Sequence, residues 1–110
     1  MGCDKENVIT AKKLRSGEKC IVQGFGQSME PIIKSGQICE VLPVGEETVL
    51  EKNDIVFAKV HGHFYLHKIS AIRGDEFQIS NNHGHVNGWT GRDNIYGKVS
   101  RPEMAKLHTL

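Results

Sequence analysis

A serine on a glycine-flexed bend is the first place in this chain where chemistry could occur. Gly24-Phe25-Gly26-Gln27-Ser28-Met29-Glu30-Pro31 sets two glycines before Ser28 and a proline after it. Such a bend can expose Oγ and aim nearby backbone N–H groups at one point. An ordinary turn serine has the same local pattern. Serine becomes a nucleophile at neutral pH only beside a base, and histidine is the commonest one. His67 stands in Phe64-Tyr65-Leu66-His67-Lys68-Ile69, an otherwise apolar strand. Strand alternation puts Tyr65 and His67 on one face, and Phe64, Leu66 and Lys68 on the other. A lone histidine there also fits a satisfied core or surface residue. Phe25, Met29, Ile32 and Ile33 surround Ser28 in sequence. They read either as core or, for Phe25, Met29 and Ile32, as the lining of a cleft for an extended peptide.

Histidine also raises a metal reading. His61, His63, His67, His83 and His85 lie close together in the chain. Zinc takes three or four N/S ligands in a tetrahedral array. No cysteine or carboxylate pattern completes such a set, and His-Gly-His more often marks a polar turn. Neither a metal nor another cofactor is expected. The three cysteines, Cys3, Cys20 and Cys39, are odd in number and lack Cys-x-x-Cys spacing. That argues against a disulfide framework and fits a reducing cytoplasm.

The elements that must hold these residues are mostly strands. Twelve glycines punctuate 110 residues, as in a chain of short strands and turns. Residues 4–15 read as a short helix or an arm. Strands are expected at Cys20-Ile21-Val22, at 37–44 with Pro43 at an edge or bulge, and at 55–60 as a buried strand. Further strands are expected at 64–69 as a hairpin partner through His61-Gly62-His63, at 76–80, and at 95–99. Residues 81–94, long and polar with glycines, read as a loop with functional potential, carrying Trp89 as a rim contact or anchor. The predicted division is an arm over 1–20, one β domain over 21–100 and a tail over 101–110.

Composition removes other classes. Lys+Arg at 14 against Asp+Glu at 13 gives a net charge of +1, no footprint for nucleic acid. No apolar run is long enough to span a membrane as a helix, and the polar N-terminus does not resemble a signal peptide.

Taken in order, several short motifs resemble those of the signal-peptidase and LexA-type serine peptidase superfamily. They are Gly26-Gln27-Ser28-Met29-Glu30-Pro31, Ser35-Gly36-Gln37, Asn53-Asp54-Ile55-Val56, Leu66-His67-Lys68-Ile69 and Tyr96-Gly97-Lys98-Val99. The resemblance covers about residues 21 to 100. It implies a small, mostly β fold, a coiled antiparallel sheet. It implies Ser28 as nucleophile and His67 as general base, as in the Ser-His branch, with Lys68 matching the basic residue that follows the base. The backbone N–H of Ser28 is the implied oxyanion donor, with Gln27 a second candidate. Asn81 falls where the family has a supporting acid. An amide there can orient an imidazole but not neutralise its charge. Asp54, Asp75 and Asp93 are the other carboxylates considered. Neither the membrane anchor of signal peptidases nor the DNA-binding half of the repressors is expected. The implied protein is a soluble, cytoplasmic peptidase of phage-encoded type, with a peptide or protein as substrate. The alternative is a degenerate member of the same fold acting as a protein-binding module.

Overall fold

The computed structural model describes residues 4–23, 29–30, 32–34 and 36–100. Phe25, Gln27, Ser28 and the predicted tail 101–110 lie outside the described residues. The first described element is helix α1, Asp4–Arg15. Ala11 and Leu14, three apart, form its buried stripe, while Val8 and Ile9 stay exposed. Lys12, Lys13 and Arg15 crowd its last turn, where the helix dipole favours cations. The helix stops at Gly17, whose φ of +94° suits glycine. The N–H of Glu18 returns to the carbonyl of Lys13 and that of Gly17 to Leu14, a Schellman closure.

Seven strands follow: β1 Cys20–Gln23, β2 Ile38–Pro43, β3 Ile55–Val60, β4 His63–Arg73, β5 Glu76–Ser80, β6 Val86–Gly91 and β7 Ile95–Val99. They form one sheet in the order β1-β2-β7-β3-β4-β5-β6, with every neighbouring pair antiparallel. This is the mostly β, coiled antiparallel architecture that the family resemblance implied. Pro43 sits at the end of β2 opposite Gly97. The N–H of Val44 goes to Tyr96. Alternation therefore turns the Pro43 nitrogen the other way, where the β1 ladder has already ended at Cys20–Val41.

Strand β3 explains the curl. Ile55 and Phe57 enter one core with Ala11, Leu14, Met29, Ile33, Cys39, Val41 and Val99. Val56, Ala58 and Val60 enter a second core with Leu50, Ile69, Phe77, Ile79 and Ile95. The far edge of the sheet bends back over this second core. The Thr90 hydroxyl of β6 donates to the Lys59 carbonyl of β3 at 2.9 Å, although β4 and β5 separate the two strands in the sheet.

One expectation fails. Residues 81–94 are not a loop throughout, because they contain β6 and a short 3-10 turn, Arg92–Asn94. Asn87, Gly88 and Gly91 are poor strand formers, which hid the strand. What holds it is long-range contact. Gly88 lies so close to β3's end that a Cβ would fall 2.8 Å from His61 Nε2, and the Arg73 guanidinium lies 4.5 Å from the Trp89 ring centroid. β4 is also longer than predicted, running on to Arg73 through an irregularity between Ile69 and Ala71.

Gly97 allows the helix and the sheet to meet. A Cβ there would lie 2.4 Å from Val41 Cγ1 and 3.0 Å from Leu14 Cδ1. Gly97→Ala is expected to lower stability by about 1–3 kcal/mol through overpacking. Urea unfolding checks this: the midpoint should fall at an unchanged m-value, and an unchanged midpoint would contradict the packing described.

Candidate functional site

His67 lies on the central part of β4. The two-residue turn His61-Gly62, with φ of 49° and 84°, closes the β3–β4 hairpin, as primed turns do. His67 pairs with Val56 of β3, while Lys68 pairs with Ser80 of β5. Tyr65 and His67 share a face as predicted, their rings stacked at 5.1 Å. Phe64 and Leu66 pack on the other face, where Phe64 lies 5.5 Å from Phe57. The His67 ring is half-buried. Burial pushes its pKa below the ordinary imidazole value, the Asn87 hydrogen bond opposes that shift, and His85 adds to it. Its Nδ1 stands 2.7 Å from Asn87 Oδ1. An amide oxygen only accepts, so Nδ1 carries the proton, and in the neutral ring Nε2 is the basic nitrogen.

Asn81 was the expected support for this ring. It occupies the position just beyond β5, but its side chain does a different job. Its Oδ1 accepts the N–H groups of His83 at 2.8 Å and His85 at 2.9 Å. Its own N–H donates to the His85 carbonyl. Asn81 therefore shapes the β5–β6 turn, and among the described residues it is Asn87 that hydrogen-bonds the ring. Reading 81–94 as a loop hid this residue. Among the carboxylates considered, Asp54 accepts from the Glu51 N–H and pairs with Lys98 at 3.2 Å.

The serine motif reaches the site through the residues that follow Ser28. Met29, expected to line a cleft, is a core residue at 4% exposure. Its carbonyl accepts the Ile33 N–H in a turn. Ile32 is 37% exposed. The Glu30 carbonyl accepts from Asn82 Nδ2 at 2.9 Å, and Asn82 Oδ1 accepts from Lys68 Nζ at 3.4 Å. A short polar chain thus ties the segment just after Ser28 to the residue just after His67. Sequence reading singled out Ser28 and His67 and, through the family resemblance, the segment Ser80-Asn81-Asn82, but had no signal for the contact of Asn82 with Glu30, 52 positions away.

Among the described residues no group of three His, Cys, Asp or Glu side chains is placed to hold a metal ion. His67 is engaged with Asn87, and His83 and His85 lie on the turn that Asn81 organises. No described helix is long and apolar enough to cross a membrane.

No curated protein matches the chain. A family model described as Peptidase S24-like matches residues 4–99. That span runs from α1 through β7, so it takes in the helix, both cores and the strand that carries His67. Over nearly its whole length, then, this chain belongs to the Peptidase S24-like family.

Proposed function

We propose that the chain is a serine peptidase that hydrolyses a peptide bond with Ser28 as nucleophile and His67 as base. The observation that supports it most is the state of His67. The ring is half-buried and favours its neutral form, with Nδ1 protonated. Its strand is tied through Lys68 and Asn82 to Glu30, two residues after Ser28. A base must be neutral to accept a proton, and its accepting nitrogen must be defined.

In this reading Ser28 Oγ attacks the carbonyl carbon while its proton passes to His67 Nε2. The Ser28 N–H, with Gln27 beside it, stabilises the oxyanion. The C–N bond then breaks, and the imidazolium returns the proton to the leaving amine. Water attacks the acyl-enzyme with the same nitrogen as base, which releases the acid and restores Ser28. Phe25 and the half-exposed Ile32 are the apolar side chains offered to the peptide. The chemistry needs no cofactor. The cysteine pattern favours the cytoplasm as its location.

Activity should follow the sign of the His67 shift. The group works when neutral and burial lowers its pKa, so kcat/KM should rise with pH along a limb centred at or below about 6.5, the free imidazole value. Cleavage of a broad peptide library from pH 5 to 10 measures this. A limb well above 7.5 would rule His67 out as the base. Ser28→Ala should abolish cleavage and leave the melting midpoint almost unchanged. Equal cleavage by Ser28→Ala would reveal a contaminant, and no cleavage by wild type at any pH would favour a binding module.

The same shift makes a separate prediction for stability. The unfolded chain takes up the His67 proton at about 6.5 and the folded protein only at lower pH. This contribution is complete above about 6.5, falls as pH drops below it, and levels off below the folded pKa. His67→Gln should flatten that part of the stability curve in urea titrations. An equally steep fall in the variant would assign it to other groups.

A further inference from the structure

We propose that Asn87 is the positioning residue of the base, holding the His67 ring by its Nδ1–H so that Nε2 is the nitrogen that takes and returns the proton. This deepens the Ser28–His67 reading and rests on it.

Three observations carry the proposal. The first is the 2.7 Å contact between His67 Nδ1 and Asn87 Oδ1. The second is how Asn87 comes to be there. In the β5–β6 ladder Ile79 pairs with Gly88 and Ser80 with Val86, so Asn87 is an extra residue with no partner of its own. Such a bulge re-aims a side chain. Here it sends the carboxamide from the sheet's edge strand across to β4. The third is the rigidity of its mounting. Thr90 anchors β6 to Lys59, and Gly88 lies against His61 and Val60.

Among the described residues, the other groups around the ring make different contacts. Tyr65 stacks on His67 and constrains its plane. His85, on the β5–β6 turn, opposes protonation of the ring. Lys68 lies on the opposite face of β4 and reaches Asn82. Asn81 is occupied by the N–H groups of His83 and His85.

An amide in this position fixes the tautomer but adds no negative charge. It should therefore orient the base without raising its pKa as a carboxylate would.

The test uses the full chain. Ring 1H–15N NMR reads the His67 tautomer and pKa, in wild type and again in Ser28→Ala to exclude chemistry. Wild type should show Nδ1–H and an unprotonated Nε2 above the pKa. Asn87→Ala should lose that preference and lower kcat on the peptide library by about 10–100-fold, as a misplaced catalytic group does. Asn87→Asp has the same shape. It should keep the tautomer, raise the His67 pKa by about one unit or more, and move the activity limb up with it. Should Asn87→Ala fail to fold, Asn87→Asp alone decides. A His67 tautomer and pKa unchanged in the folded variants would overturn the proposal. If the ring responds as stated but wild type cleaves nothing, the peptidase reading falls, and Asn87's catalytic role falls with it.

Discussion

Strand β3 is buried on both faces, and a strand so placed must be covered twice. Ile55 and Phe57 need the helix, β2 and β7 on one side, while Val56, Ala58 and Val60 need β5 and the loop residue Leu50 on the other. One sheet meets both demands only by curling. The curl brings β6 back toward β3, where the Thr90–Lys59 hydrogen bond and the Gly88 approach fix it. Asn87 sits on that returning strand. The ring of His67 is thus bonded by a residue that the bend of the sheet and the bulge in β6 together bring to it.

The two halves of the candidate site depend on different neighbours. His67 is set by regular ladder pairing to β3 and by Asn87 across β5. The motif segment is set by the core through Met29 and Ile33 and by Asn82 through the Glu30 carbonyl. Both polar contacts come from the β5–β6 hairpin. That hairpin therefore acts as a bracket between the strand of His67 and the residues after Ser28.

Legibility in the sequence followed burial. β3, β5 and β7 were legible with their bounds, because each carries a repeated set of buried apolar side chains. α1 was readable only as an option, since two buried positions, Ala11 and Leu14, carry its packing. β6 was not readable, because Asn87, Gly88 and Gly91 resemble a loop until the close approach to His61 is known. The family resemblance pointed to Asn81, and Asn87 carried no signal of its own. A regular ladder puts Asn81 beside His67, and nothing local announces a bulge six positions later. Met29 was legible as apolar, either core or cleft lining, and what decides for core is its packing with Cys39 and Val41 from a strand beyond the next turn.

Whether Ser28 and His67 work as a pair is decided by the distance between Ser28 Oγ and His67 Nε2 in a crystal structure. A working pair requires hydrogen-bond reach, about 2.6–3.2 Å, or a somewhat looser approach without substrate, with Nε2 facing Oγ. A Ser28 hydroxyl turned away from the ring and packed well beyond that range would contradict it.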